Sequence, residues 1–344
     1  MAVAKTVLDI RGNMLLPAGT EVWPFVEQLK NINIKYLYIN DVISKDIETW
    51  GILSEETRKK LPVAMDNAKM ECQAIEDGVR GLSSHIMHIF EEMSKIISDD
   101  ILSNKDKDTR IDVTELLTNN VYPLHHELNV AIVAGLIGRM LGLPDIKNIC
   151  LAGLLHDIGK LALSENVRLE LENNQSLTAI SDSAFIEEIE QYPLLGFDMV
   201  KNFIEAEAAF AVLHHTENYD GTGFPLSKIE EEIPLSAQII AIANTFDELF
   251  SIRKLRIYEI VEWIQKHSGT IFNPKLVKMF AKNTLPYPNG TIVYLNDGRM
   301  GVIIGQSPHF VARPIVNIIH SETGKSDVVN LLEDLTLSIE DIDM

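Results

Sequence analysis

The sequence predicts a mainly α-helical protein: a central all-helical domain flanked by a small N-terminal α/β unit and a small C-terminal β module. Through the middle of the chain, apolar residues recur at three- and four-residue spacing, which is typical of one face of a helix. Near the C-terminus the pattern changes to alternation between glycine-containing turns, which indicates strands. We therefore predict four parts, residues 1–45, 46–120, 121–285 and 286–344.

The first part, residues 1–45, carries no obvious chemistry and is interpreted as a structural or regulatory module. Val7–Ile10 and Ile34–Ile39 have the composition of strands, and Val22–Lys30 has helical spacing.

Residues 46–120 are predicted to be a helical connector. Ser54 marks a helix start, and Val63–Val79 and Leu82–Ile97 both have helical spacing. The charged stretch Ser98–Arg110 is interpreted as a linker. The two helices are candidates for a homodimer contact.

The central part, residues 121–285, is predicted to be helical throughout. The segment Ile149–Leu155 is apolar nearly all round, so we expect it to be deeply buried. Asp220–Pro225 is interpreted as a rigid loop punctuated by glycines. The helices are expected at Leu124–Leu141, Ile149–Leu155, Asp182–Glu190, Phe197–His215, Pro234–Phe250, Ile257–Ile264 and Pro274–Phe280.

The last part, residues 286–344, is predicted to be a partly open barrel or a meander. Asn296–Gly298 is a strong hairpin-turn signal, and Ser321–Lys325 indicates a second turn. Strands are expected around Thr291–Leu295, Gly301–Gly305 and Pro314–Ile319. The acidic last residues are expected to fray.

Charge and cysteine content narrow the function classes. The formal net charge is −20, with 50 acidic against 30 basic residues. Such a balance argues against DNA binding, although a small anionic ligand needs only a few local cations. The two cysteines, Cys72 and Cys150, form no disulfide framework. With no signal peptide and no long apolar run, we expect a cytoplasmic protein that does not enter a membrane.

The end of the buried helix at Leu155 presents an imidazole and a carboxylate side by side, His156 and Asp157. This pair can hold a divalent metal, and Lys160 can face an anionic substrate. The dipeptide is common, so on its own it favours the interpretation of an ordinary helix end. His126, on the preceding helix, strengthens the metal interpretation.

Two further imidazoles, His214 and His215, end a later helix. Buried imidazoles need partners, and a metal satisfies several of them at once. Helices that each contribute a ligand to a bundle core are a known way to build such a site.

The order of the motifs makes this interpretation specific. The chain resembles the HD-GYP family, a branch of the HD-domain metal phosphohydrolases, across the whole central domain. The flanks, LPAGTEV near the start and YPNGTIVYLNDGRMGVI near the end, also look like those of longer HD-GYP proteins. The matching segments are, in order, His126, HDIGK at 156–160, Leu177-Thr178, Tyr192-Pro193 with Gly196, HHTENYDGTGFP at 214–225, IIAIANTFDEL at 239–249 and Ser251–Arg253.

The resemblance implies hydrolysis of cyclic di-GMP to pGpG or GMP with two or three iron or manganese ions that bridge a water or hydroxide. It implies metal ligation by His126, His156, Asp157 and His215, with Asp157 as a bridging ligand. Lys160 would contact a phosphate oxygen and steady the developing charge.

The resemblance also implies a nucleotide site. Arg253 and Arg256 would bind the phosphates, because a guanidinium group can donate two hydrogen bonds to the oxygens of one phosphate. The loop Gly223-Phe224-Pro225 stands where the family has Gly-Tyr-Pro.

Several family ligands are replaced in this chain. Tyr192, Thr216 and Asn244 stand where the family has two histidines and an aspartate, and Tyr122 stands where some members have a glutamate. Tyrosine and threonine rarely ligate divalent ions, and asparagine is a poorer ligand than aspartate. The remaining set suits one ion or none, with His214 and Asn244 as weak or substitute ligands.

Three functions follow from these residues. The first is a degenerate HD-GYP protein of cyclic di-GMP signalling, with weak or no hydrolysis, that binds the nucleotide or a protein partner through its N- or C-terminal module. The second is an active metal-dependent phosphodiesterase that converts cyclic di-GMP to pGpG or GMP. The third is hydrolysis of another phosphoester, since fold alone does not choose the substrate.

Overall fold

The computed structural model describes residues 1–8, 13–32, 34, 37, 39–40, 47, 53–76, 82–103, 110–111, 126–174, 182–319 and 326–343. Eight predictions lie wholly or partly outside these residues. They concern the segments Val7–Ile10, Ile34–Ile39, Val63–Val79, Ser98–Arg110, Leu124–Leu141 and Leu177-Thr178, the turn Ser321–Lys325, and Tyr122.

The chain divides into two compact units. One contains residues 1–52, 110–124 and 282–344, and the other contains residues 53–109 and 125–281. The finer division into four parts remains a prediction.

The N-terminal part of the first unit is a small α/β module. Two short antiparallel pairs, β1 with β4 and β2 with β3, accompany helix α1. Its core consists of aliphatic residues that become almost fully buried, among them Val3, Leu16 and Leu29. The elements are β1 (Ala2–Val3), β2 (Val7–Leu8), β3 (Met14–Leu16), α1 (Val26–Asn31) and β4 (Ile39–Asn40).

The C-terminal part of the first unit is an antiparallel sheet with strand order β8-β7-β6-β5-β9. Gly298 adopts a φ of +84° in the turn between β5 and β6, as the Asn-Asp-Gly signal predicts. The expectation of a frayed end is wrong, because β9 pairs with β5 and buries Ile342. The strands are β5 (Ile292–Leu295), β6 (Met300–Gly305), β7 (Ile315–Ile319), β8 (Ser326–Asn330) and β9 (Ile339–Asp343).

The second unit is helical, and the predicted mainly α fold class is confirmed. Its first helix begins as predicted, because the Ser54 hydroxyl accepts a hydrogen bond from the Thr57 amide over 3.1 Å. The helices are α2 (Glu55–Glu76), α3 (Ser84–Ser103), α4 (His126–Met140), α5 (Lys147–Leu155), α6 (Glu165–Asn174), α7 (Ser183–Ile189), α8 (Tyr192–Val200), α9 (Ala206–His214), α10 (Leu235–Asp247), α11 (Ile257–Lys266) and α12 (Pro274–Asn283).

The predicted linker at Ser98–Arg110 is wrong in its first half, because α3 continues to Ser103. Ile97 and Ile101, four residues apart, are fully buried and hold this part of the helix against its neighbours. The Ser98 and Ser103 hydroxyls donate back to helix carbonyls, so the polar residues do not interrupt the helix.

The single helix predicted over Phe197–His215 is wrong as well, because the chain forms a hairpin of α8 and α9. Glu205 is extended, with φ −60° and ψ 145°, and separates the two helices. The Phe197 and Phe210 rings stack at 5.7 Å between centroids. Apolar residues thus pair across the hairpin instead of lining one long helix.

Close packing of α4 against α5 determines where the ends of these helices lie. A Cβ atom on Gly153 would meet the Ala131 backbone at 2.6 Å, so only glycine permits this approach. Both helices are almost completely buried. The first residue of α4 and the residues that follow α5 are therefore held next to each other.

Candidate metal and nucleotide site

Three residues predicted as metal ligands meet at the ends of α4 and α5. His126 is the first residue of α4, and His156 and Asp157 directly follow α5. Asp157 Oδ2 lies 3.5 Å from His156 Nε2 and 3.9 Å from His126 Nε2. One donor atom from each residue lies within 4.8 Å of the others, which is a spacing that one cation can bridge.

Hydrogen bonds to the Nδ1 atoms orient both imidazoles. His156 Nδ1 donates to the Gly153 carbonyl over 2.8 Å, and His126 Nδ1 donates to Asp247 Oδ2 over 2.7 Å. Because Nδ1 carries the proton in each ring, Nε2 is the atom directed at the cluster. A metal-binding imidazole needs this kind of support.

Three buried atoms of residues predicted as metal ligands have no hydrogen-bond partner among the described residues. They are His156 Nε2, Asp157 Oδ1 and Asn244 Oδ1. Leaving such atoms unpaired costs roughly 1–3 kcal/mol each. A divalent cation held by His126, His156 and Asp157 would satisfy the first two atoms, so the residues of the cluster fit one metal ion.

Burial and charge give the cluster an unusual protonation pattern. Burial acts to lower the pKa of His126, but the hydrogen bond and charge of Asp247, together with the charges of Asp157 and Glu127, outweigh burial and raise the pKa to about 9. Burial lowers the pKa of His156 to about 3, so this ring is neutral and able to ligate. Burial acts to raise the pKa of Asp157, yet the positive charges of His156, which is protonated only in strong acid, and of Lys160 and His126 hold that pKa well below its usual range.

The fourth predicted ligand, His215, has a different partner. Its Nδ1 donates to the Val212 carbonyl over 2.8 Å, so its Nε2 accepts a hydrogen bond from the Tyr192 hydroxyl over 2.9 Å. Burial lowers the pKa of His215 to about 4 and raises the pKa of Tyr192 well above its usual value. The ligating nitrogen of His215 is therefore occupied by a phenol that stays protonated.

Thr216 has another partner as well, because its hydroxyl donates a hydrogen bond to the Phe224 carbonyl over 2.7 Å. His214 contacts Glu217, with 3.7 Å between Nδ1 and Oε1, and its ring stacks on Phe210. Among the described residues, His214 therefore contacts Glu217 and Phe210 and not His156 or Asp157.

Lys160 lies in the short helical turn Ile158–Ala162 and is paired within the cluster. Its ammonium group lies 2.5 Å from Asp157 Oδ2 and 5.1 Å from the centroid of the Tyr192 ring. Gly159 permits this turn to pack on α8, since a Cβ atom there would collide with the Tyr192 carbonyl. Lys160 therefore lies beside both the metal ligands and the tyrosine.

The Gly223-Phe224-Pro225 loop packs against the same tyrosine. The Phe224 and Tyr192 rings lie 6.3 Å apart in an edge-to-face arrangement. The buried Glu217 carboxylate accepts hydrogen bonds from the amides of Leu226 and Lys228 over 2.8 Å and 3.0 Å. This carboxylate holds the loop in place from the α9 side.

The two arginines predicted to bind phosphate lie between α10 and α11. Arg253 follows the π-helical turn Glu248–Ile252, and its side chain is exposed. The Arg256 guanidinium donates to the Tyr258 hydroxyl over 3.2 Å.

Asp247 has a central place that the sequence did not reveal. Its carboxylate is buried and accepts hydrogen bonds from His126, from Asn129 Nδ2 over 2.8 Å and from the Ser251 hydroxyl over 2.7 Å. An aspartate that is the only charged residue of the helix Leu235–Asp247, three residues after Asn244, was the available signal.

Comparison with known proteins identifies the family to which this chain belongs. The HD domain family model matches residues 93–276, which is more than half of the chain, so the protein belongs to the HD domain family. The resemblance to HD-GYP proteins is confirmed at that level, and the replaced ligands remain a prediction.

Two curated relatives are named as cyclic di-GMP phosphodiesterases. One, from Pseudomonas aeruginosa, is 30% identical over 65% of this chain and 54% of its own length. The response regulator RpfG from Xanthomonas campestris pv. campestris is 33% identical over 42% of this chain and 39% of its own length. The chain thus spans about half or less of these relatives.

A solved structure shares the fold. Bd1817, an HDG"Y"P protein from Bdellovibrio bacteriovorus, superposes with a TM-score of 0.54 and 17% identity, covering 81% of this chain and 96% of Bd1817. Along the described residues, no helix has both the length and the apolarity required to cross a membrane.

Proposed function

We propose that this chain is a degenerate HD-GYP-type protein of cyclic di-GMP signalling that holds one metal ion, binds the nucleotide and hydrolyses it weakly or not at all. The observation that carries the proposal is the 2.9 Å hydrogen bond from the Tyr192 hydroxyl to His215 Nε2. This bond uses the nitrogen that a second metal ion would need. A buried tyrosine with a raised pKa does not readily become a phenolate ligand.

The residues that remain suit a single ion. His126 Nε2, His156 Nε2, Asp157 and Asn244 Oδ1 would hold it, since three of these residues bear buried atoms without partners in the described chain. A bound divalent ion supplies positive charge for a phosphate and lowers the pKa of a bound water. With a single ion, one of the two metal ions that usually hold a phosphodiester for attack is missing.

Nucleotide binding would use the cationic side chains near the cluster. Lys160 is paired with Asp157, so a cation on Asp157 would free its ammonium group for a phosphate oxygen. Arg253 is exposed and can turn towards a ligand. The names of the two relatives support cyclic di-GMP as the nucleotide.

Calorimetry with cyclic di-GMP tests this proposal on the full chain loaded with Mn²⁺. We expect saturable binding, weakened about tenfold or more in R253A because a charge-assisted contact contributes roughly 1.5–3 kcal/mol. Chromatography of the same mixture should show intact cyclic di-GMP. Absence of nucleotide binding would refute the sensor role and favour recognition of a protein partner through the terminal modules.

An active phosphodiesterase is the second candidate. It is favoured by the cluster of His126, His156 and Asp157 beside Lys160. Lys160 would steady the charge that develops on the scissile phosphate. Multiple turnovers to pGpG or GMP, abolished in D157A, would establish this function in place of the proposed one.

A further inference from the structure

One carboxylate near the cluster stands outside the predicted ligand set. Glu248 opens the π-helical turn after α10 and lies four residues after Asn244, so both side chains leave the helix on one face. Glu248 Oε1 accepts a long hydrogen bond, 3.5 Å, from Asn244 Nδ2.

This hydrogen bond decides which way the Asn244 amide points. An ionised carboxylate can only accept, so Nδ2 must face Glu248. The amide oxygen, which is the only atom of the side chain suited to bind a cation, is then turned away from Glu248. This Oδ1 atom is buried and unpaired among the described residues, as a metal-directed oxygen should be.

Glu248 also lies within electrostatic range of the cluster. Although solvent reaches the side chain, crowding around the carboxyl group raises its pKa, whereas the positive charges of His126 and Lys160 act to lower it. Asparagine in place of aspartate at position 244 removes one negative charge. Glu248 supplies one negative charge one helical turn away.

We propose that Glu248 is a positioning residue for the metal ion, which aims Asn244 Oδ1 at the cation and restores the carboxylate charge missing at position 244. The inference rests on the single-metal site proposed above. Asn244 and Glu248 then form one functional pair. The Asn244 amide oxygen binds the metal ion, and the Glu248 carboxylate orients that amide and replaces the missing negative charge.

Titration of the metal-free full chain with Mn²⁺ by calorimetry tests this pair. We expect E248Q, which keeps a hydrogen-bond acceptor but loses the charge, to bind Mn²⁺ about tenfold more weakly, as changes behind metal ligands usually do. E248A, which loses both, should bind more weakly still. The matched control is E262Q, at an exposed glutamate on α11, which should leave the affinity unchanged.

A double-mutant cycle distinguishes a specific pair from a general charge effect. In the N244D background the metal has its own carboxylate, so E248Q should then cost less than about twofold. Equal losses in both backgrounds, or no difference between E248Q and E262Q, would overturn the pairing while leaving the single-metal site intact. A wild-type protein that takes up no Mn²⁺ would refute the single-metal site itself and the pairing with it.

Discussion

Replacing Asp247 by asparagine removes the charge that keeps His126 protonated in the metal-free protein. The pKa of His126 is raised from 6.5 to about 9. One pKa unit corresponds to about 1.4 kcal/mol, so the raised pKa corresponds to on the order of 3 kcal/mol of folding stability, and among the groups that raise it Asp247 contributes most. D247N should lose most of that contribution.

The pH dependence has a definite sign. A folded-state pKa above the unfolded value means that the stabilisation is fully present below pH 6.5 and is lost as the pH rises through about 9. In D247N this contribution is missing at every pH. The stability difference between wild type and D247N should therefore be largest near pH 6.5 and narrow towards pH 9.

Urea unfolding of the metal-free protein, followed by circular dichroism between pH 6.5 and 9.5, measures this difference. D198N is the matched control, because Asp198 forms an exposed ion pair with Lys201. The unfolding free energy of D198N should equal that of the wild type at each pH. A D247N deficit that stays constant over the whole pH range would refute the assignment of a cationic His126.

Three further changes test other parts of the site. Y192F removes the hydroxyl that pairs with His215 Nε2 and should lower the unfolding free energy by roughly 1–3 kcal/mol, and an unchanged urea midpoint would contradict that bond. G159A places a Cβ atom against the Tyr192 carbonyl and should lower the melting temperature, whereas the control G305A, where that atom meets Ile315 only at contact distances of 3.5 Å or more, should change it much less. Because metal must displace the proton of His126, Mn²⁺ affinity should rise up to about tenfold per pH unit from pH 7 to 9, and a flat profile would contradict the raised pKa.

The sequence predicted the features that depend on local pattern. The helix that begins at His126 and the buried helix before His156 follow from apolar spacing, and both are present. The adjacency of His126, His156 and Asp157 follows from the family order of motifs. The hairpin between α8 and α9 was missed, because apolar residues in Phe197–His215 fit one long helix as well as two paired ones.

The partners of the site residues depend on tertiary structure and could not be predicted. The sequence indicated that Tyr192 replaces a ligand, but not that its hydroxyl occupies His215 Nε2. Asp247 was overlooked for the same kind of reason, since its importance comes from His126, more than a hundred residues earlier in the chain. Spacing along one helix cannot reveal such a contact.

Counting metal ions in the full chain tests the central proposal most directly. The protein would be loaded with iron or manganese, freed of excess metal and analysed by inductively coupled plasma mass spectrometry. With Tyr192 on His215 Nε2 and Asn244 as the remaining substitute ligand, we predict one ion per chain, reduced to none in H156A. Two or more ions per chain, accompanied by conversion of cyclic di-GMP to pGpG, would contradict the single-metal proposal.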